Sequence, residues 1–382
     1  MKNFIGKNVN KLLYLLTLAF LVTAMIRLWV NRPPAKINPP AITITWWEDD
    51  PAMEGLEYLI DEFKNQHSRI NIILETVPYE ELLHRLFTPD EVSLGDVIAL
   101  DSLWVSELLE GEIIENVSDS FMNFANVFYY NVHILREAGF SRPPKSRSEL
   151  LSYAKILTMG MDGSRGIFDD ILPWIWSAGA ELIVDGKPAL TSKAVVDSLS
   201  FISTLNKEGL ISPGAFSKGS GDKIDDFISG RAAFMIGPSS EIKKVGEHLG
   251  YEAFAVTSIP APDNYFGKSF FGTAGRTIGV YSGSVHKEEA RLFADFLAGN
   301  AAFLSDKANA LSENGNPPAG DPLYLKVWDI AIAGEPARDF FGLPWIKLEK
   351  VFKQELSAMF EEKLSPEETA VSIQKKWADI IN

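Results

Sequence analysis

At 382 residues, with 46% hydrophobic and 23% charged side chains, the chain is too long for a single compact core and too ordinary in composition for a disordered or polytopic membrane protein, so two lobes are expected. A formal charge of −15 denies nucleic acid the basic surface that phosphate binding requires. The absence of cysteine excludes disulfides, thiolate metal sites, cysteine nucleophiles and a lipid-modified N-terminal cysteine.

The chain opens with Lys2, Lys7 and Lys11 ahead of an apolar run over 12–26 that resumes at Leu28, Trp29 and Val30 after Arg27. Positive charge followed by an apolar run is an export segment, intermediate in length between a cleavable signal and a spanning helix. Small residues are scarce around Thr23, Ala24 and Met25, Arg27 can snorkel, and Trp29 suits the headgroup layer. Residues 1–31 are therefore read as an uncleaved membrane anchor, with a cleaved signal peptide as the alternative. Arg32, Pro33, Pro34, Pro39 and Pro40 make 32–40 an extended tether.

Ile42, Ile44 and Trp46 then alternate with threonines as in a strand, and Leu56, Leu59, Ile60 and Phe63 share one helical face. A strand over 70–74, a helix carrying Leu82, Leu83 and Leu86, and an apolar strand over 97–100 complete a βαβαβ unit, the pattern of a parallel sheet covered on both faces. Ligands of such sheets bind outside the carboxyl ends of the strands. Those ends carry Trp46, Trp47, Glu48 and Asp49, then Tyr79 and Glu80, then Asp101, Ser102 and Trp104. Carboxylate acceptors beside aromatic platforms suit a polyol. Alternation also sends at least one of the two tryptophans into the core, and Asp101 equally suits a cap on the following helix.

Further along, helices from Thr191 to Gly209 and around Ile224, Phe227 and Ile228, strands over 232–236, 253–259 and 276–281, and a helix over 288–297 continue the α/β alternation. Ser365, Pro366 and Glu368 form a capping-box start to a last helix bearing Ile373, Trp377 and Ile380. No metal is expected, because His67, His84, His133, His248 and His286 are scattered without ligand spacing. Phe266-Gly267-Lys268-Ser269 ends like a phosphate loop, but Pro262 occupies the position of the required glycine, so it is read as a loop. Nothing selects a catalytic pair, so neither an enzyme nor a cofactor is expected; a glycosidase is the weakest of the readings left open.

The ordered segments Ile44-Thr45-Trp46-Trp47, Gly95-Asp96-Val97-Ile98-Ala99-Leu100-Asp101, Tyr129-Tyr130-Asn131, Pro143-Pro144-Lys145-Ser146, Trp176-Ser177-Ala178-Gly179-Ala180-Glu181 and Phe227-Ile228-Ser229-Gly230-Arg231-Ala232-Ala233-Phe234-Met235-Ile236-Gly237-Pro238 resemble the family 1 extracellular solute-binding proteins, the maltose-binding-protein-like receptors of ABC importers. The resemblance implies an α/β, two-lobed periplasmic-binding-protein-like fold, each lobe a mostly parallel sheet flanked by helices, with hinge crossovers. The N-lobe would be 41–125 plus 269–311, and the C-lobe 126–268 plus 312–382. It also implies a monomer at the extracytoplasmic face of the membrane that closes over a small polar solute, a carbohydrate being expected, and presents it to permease subunits.

On this resemblance, Trp46, Trp47, Glu48, Asp101 and Trp104 would face the ligand from one lobe. Tyr130, Asp169, Asp170, Trp174, Trp176, Ser239 and Ser240 would do so from the other, Phe271 and Thr273 from the return crossing, and Phe341 and Trp345 from the loop before the last helices. Two departures stand out. The stretch between Glu115-Asn116 and Phe128-Tyr129-Tyr130-Asn131 is short, and Ser239 stands where the family often supplies a tryptophan platform. Both keep a second reading open, a membrane-tethered sensor or scaffold with a degenerate cleft.

Overall fold

The computed structural model describes residues 40–48, 50–88, 94–117, 122–155, 157–161, 167–212, 222–267, 270–311, 321–337, 340 and 342–381, together with 17, 18, 20–23, 25 and 27 near the N-terminus. The chain divides into a unit over Met1–Pro40 and a unit over Ala41–Asn382. In the first, the described residues between 17 and 27 are helical and exposed, and Pro40 is half-buried outside any element. The expected anchor and tether lie mostly outside the described residues, among which no helix is long and apolar enough to cross a membrane.

The second unit opens with β1 (Ala41–Trp47), α1 (Met53–Gln66), β2 (Asn71–Val77), α2 (Tyr79–Phe87), β3 (Val97–Asp101) and α3 (Val105–Glu110). β1 pairs in parallel with both β2 and β3, as the helical crossovers require. Leu56, Leu59, Ile60 and Phe63 are the buried stripe of α1, the face that the spacing predicts. Gly95 enters β3 at φ +75°, and a Cβ there would sit 2.6 Å from Thr45 Oγ1. Gly95→Ala is therefore expected to cost at least about 1–2 kcal/mol, from the left-handed backbone alone, read as a lowered denaturant midpoint with an unchanged slope.

The chain continues through β4 (Ile114–Val117), β5 (Met122–Asn131), α4 (Val132–Glu137), α5 (Arg147–Ala154), β6 (Met159–Gly160), a π-helical turn (Ile167–Ile171), α6 (Leu172–Ser177), β7 (Ile183–Val184), β8 (Lys187–Pro188), α7 (Lys193–Lys207), α8 (Asp222–Ile228), β9 (Phe234–Pro238), α9 (Glu241–Leu249) and β10 (Phe254–Thr257). It returns as β11 (Phe270–Phe271), β12 (Thr273–Tyr281), α10 (Lys287–Gly299) and α11 (Ala301–Lys307). It ends with α12 (Pro322–Ala333), β13 (Glu335–Pro336), α13 (Trp345–Phe360) and α14 (Pro366–Ile381). The capping box at the start of α14 forms: Ser365 N–H donates to Glu368 Oε2 at 2.8 Å, and Glu368 N–H donates to Ser365 Oγ at 3.2 Å.

The main sheet runs β2-β1-β3-β12-β5-β9-β6, with β4 on β12 and β10 on β5. The ten-residue β5 is shared by both halves of this two-lobed fold. Its first residues, Met122 to Ala125, pair antiparallel with β12, and the residues from Asn126 onward pair with β9 and then β10. The sheet is thus mixed: parallel where helices cross over, antiparallel where the chain passes from one half to the other and back.

A single buried apolar cluster extends from Ile42 and Val97 in the first half to Trp174, Leu199 and Trp377 in the second. The ring contacts of the site lie within each half, Trp47 with Tyr79 and Trp104 in the first, and Phe168 with Trp176 and Trp345 in the second. A smaller cluster, with Tyr129, Phe227, Phe254 and Tyr324, lies on the opposite face of β5 beneath α12.

Candidate functional site

The carboxyl ends of β1 and β3 build the first wall. Trp47 donates from Nε1 to the Ala99 carbonyl at 2.8 Å, which fixes its ring against Tyr79 (centroids 5.0 Å apart) and Trp104 (5.9 Å). The Arg276 guanidinium covers Trp47 at 3.4 Å from the ring centroid, a cation–π contact in a desolvated setting. Arg276 also pairs with Asp50 through Nε and Oδ2 at 2.9 Å, both groups buried. Asp101 accepts from Leu103 N–H at 3.0 Å and from the Tyr79 hydroxyl at 3.5 Å, so it closes the turn before α3; the helix itself has Trp104 as N-cap. Trp46 and Trp104 are fully buried, and Glu48 is exposed at the end of β1.

The second wall starts from the π-helical turn, a geometry frequent at functional sites. Both Asp170 oxygens accept from Lys223 Nζ at 3.1 Å in a fully enclosed ion pair. Asp169 Oδ1 accepts from Asn126 Nδ2 at 3.0 Å, tying the turn to β5. Phe168 meets Trp176 at 5.3 Å and Trp345 at 6.0 Å, both edge-on, and Phe340 lies 4.4 Å from Trp345. Trp174 points away from this set, packing on Phe201 at 5.1 Å and Phe128 at 6.4 Å, while its carbonyl accepts from Arg147. It belongs to the core of the second half. That separation of Trp174 and Trp176 follows from their spacing on one helix.

The remaining expected residues divide. Phe271 is buried at the return crossing, Ser239 is buried with its N–H donating to the Ala125 carbonyl, and Ser240 is half-buried at the start of α9. Tyr130 is half-buried on β5, where burial raises its hydroxyl pKa. The Thr273 side chain and Phe341 lie outside the described residues. Trp47, Asp101 and Trp104 are therefore gathered at one wall, and Asp169, Trp176 and Trp345 at the other. Every tryptophan expected at the site is at most 4% exposed, and none is an open stacking platform.

Two residues that shape the candidate site escape the sequence reading. One is Arg276, read only as the start of a strand, although an arginine entering an apolar strand asks for a buried partner. The other is Glu107 on α3, whose Oε2 accepts from Ile346 N–H at 2.5 Å, in the first turn of α13. Beside it Ser106 Oγ donates to the Gly342 carbonyl at 3.2 Å, and Glu110 lies 3.9 Å from Lys347. Burial raises the Glu107 pKa, partly offset by the N–H groups of Ile346 and Lys347 and by the Lys347 charge. α3 packs on β4 while α13 packs on α14 and α7, so this contact clasps the two halves. A carboxylate at a helix N-terminus is favourable through both the unpaired N–H groups and the dipole. Among the described residues, no group of three His, Asp or Glu side chains could hold a metal ion.

Comparison with known proteins follows the same lines. The model of the bacterial extracellular solute-binding protein family matches residues 47–302. Among solved structures, a maltose-bound MalE3 of T. maritima is 19% identical with a TM-score of 0.71, covering 88% of this chain and 98% of its own. An ABC transporter solute-binding protein of Thermotoga lettingae bound with α-D-tagatose is 17% identical with a TM-score of 0.75, covering 90% and 100%. One of Agrobacterium radiobacter in complex with ribitol is 18% identical with a TM-score of 0.71, covering 90% and 99%. No curated protein matches the sequence. At such identities the structural likeness carries the fold, and the family model, which spans more than half the chain, carries membership: this protein belongs to the bacterial extracellular solute-binding proteins.

Proposed function

We propose that this protein is the extracytoplasmic receptor of an ABC importer, binding a small polar solute of the carbohydrate or polyol class between its halves and delivering it to membrane permease subunits. The observation that carries this reading is the shared strand β5, around which Asp101 of β3, Arg276 opposite it on β12, and the π-helical turn, with Asp169, converge. The lobes in this reading are 41–125 with 269–311, and 126–268 with 312–382. The chain acts as a monomer held at the membrane by residues 1–31. The solved relatives bound with maltose, tagatose and ribitol support the ligand class.

A panel of sugars and polyols tests it by thermal shift on the full chain. A ligand that binds only the folded state raises the midpoint by mass action, and at least one is expected to do so. A properly folded protein that responds to no member of the panel would overturn the reading. A second function, a tethered sensor or scaffold with a degenerate cleft, is favoured by the burial of every tryptophan expected at the site and by Ser239. It predicts no ligand-dependent change in solution scattering.

Closure in this reading passes through Glu107. Glu107→Ala strips the α13 N-terminus of its acceptor, and the radius of gyration of the ligand-free protein is expected to rise; Glu107→Gln keeps an acceptor without a desolvated charge and stays compact. The Glu107 pKa is raised when the halves meet, with Lys347 and Glu110 the charged groups beside it. Closure therefore takes up a proton, so the closed form gains as pH falls toward that pKa and loses as pH rises through it. The compaction seen on acidification should be absent in Glu107→Gln.

A further inference from the structure

β10 and β12 meet end to end along one edge of β5, the pairing passing from Thr257 opposite Phe128 to Thr273 opposite Ala125. Asn126 sits at this joint and faces Pro238 of β9 on the other edge. Its N–H donates to the Gly272 carbonyl of the return crossing at 2.9 Å. Its side chain reaches the π-helical turn, Nδ2 donating to Asp169 Oδ1 at 3.0 Å and to the Phe168 carbonyl at 3.4 Å. Gly272 lies against the same wall: a Cβ there would sit 2.5 Å from Cζ3 of Trp176 and 3.3 Å from Cε1 of Phe168. Both crossings of the chain therefore touch the second wall, one through a buried amide and the other through bare backbone.

Asn126 is 1% exposed, and with Nδ2 turned toward two acceptors its Oδ1 has no hydrogen-bond partner. A half-satisfied amide in the interior stabilises less than an apolar side chain of the same shape, so packing does not account for it. Departures of this kind collect where a residue has a task besides stability. What this amide holds is the relation between β5 and the turn, because its two protons bind the turn at consecutive residues.

We propose that Asn126 is a positioning residue that couples the crossing strands to the solute site: twisting β5 against the return crossing turns Asp169 and the Phe168 backbone with it, so the second wall is set by the angle between the halves. Gly272 serves the same coupling by leaving no side chain between the return crossing and Trp176. The inference rests on the importer reading for what the site binds, and on the contacts of Asn126 and Gly272 alone for the coupling.

Asn126→Leu, which keeps the size and removes the donors, tests this by hydrogen exchange and mass spectrometry on the full chain. Peptides over Ile167–Ile171 are expected to exchange at least about ten-fold faster than in the wild type, while the β5–β9 ladder, Phe128 to Tyr130 against Phe234 to Ile236, changes by less than about two-fold. Asn126→Asp is the second arm. A carboxyl facing Asp169 repels it when both are charged and donates to it when one proton is shared. Protection of the turn, relative to the wild type at the same pH, should therefore return as pH falls through the pair's raised pKa and be lost above it. Among the described residues, the other titratable groups about the turn are Asp170, held by Lys223 of α8, and Tyr129 of β5; both are common to the two proteins and cancel in the comparison. Any of maltose, tagatose or ribitol that binds the wild type should bind Asn126→Leu at least about ten-fold more weakly, a free-energy loss on the scale that positioning commands. A turn as protected in Asn126→Leu as in the wild type, equal loosening of turn and ladder, a pH-independent Asn126→Asp, or unchanged solute affinity would overturn the proposal. A wild-type chain that answers none of the three solutes, with the turn responding as expected, would instead count only against the importer reading.

Discussion

Removing either member of the Asp50–Arg276 pair is expected to cost about 3–5 kcal/mol of unfolding free energy, because it breaks a buried ion pair. The pair is at most 6% exposed on either side, and Arg276 also covers one face of Trp47. Asp50→Ala removes this carboxylate from the guanidinium. Arg276→Ala leaves the carboxylate without its cation and uncovers the indole. The double variant Asp50→Ala/Arg276→Met removes both charges and retains apolar contact with Trp47, so it should recover a substantial part of the loss. Urea unfolding of the four species, arranged as a double-mutant cycle, measures the coupling. A double variant no more stable than the worse single one would show that the pair is not what holds this wall.

Trp377→Ala is expected to be comparably damaging, about 3–5 kcal/mol, by the large-to-small rule for buried tryptophan. Trp377 is fully buried on α14, donates from Nε1 to the Leu348 carbonyl at 2.9 Å, and meets Phe340 and Phe352 at 5.7 Å each. Phe340 in turn contacts Trp345, so the cavity opens directly beneath the second wall of the site. Trp377→Phe keeps much of the volume but leaves the Leu348 carbonyl without that donor, for which about 1–3 kcal/mol is expected. Loss of Tm in Trp377→Ala should therefore be accompanied by exposure of Trp345 to a fluorescence quencher, and much less so in Trp377→Phe.

Local order was readable where one period dominates. The βαβαβ opening follows from the spacing of Ile42, Ile44, Leu56, Leu59 and Val97, and the last helix from Ser365, Pro366 and Glu368, because each signal involves residues near one another in the chain. The carboxyl-end rule places Trp47, Asp101 and Trp104 together, since it depends on sheet topology alone. What no local pattern holds is the direction of a side chain after distant segments meet. Trp47 looks like a sugar platform until Arg276, far along the chain, lands on its face. Glu107 reads as one more acidic residue on a short helix until α13 arrives at its carboxylate. Trp174 and Trp176 differ only by which side of α6 the two halves offer them.

The joint on β5 has a mechanical consequence. Each partner strand ends there, so rotating one half against the other turns two complete ladders about a knuckle rather than tearing a single ladder in its middle. Hinge motions of this class run on the microsecond-to-millisecond scale. The amide protons of β10 and of β12 should accordingly resist exchange through every opening cycle, as if the molecule flexed without ever loosening its weave.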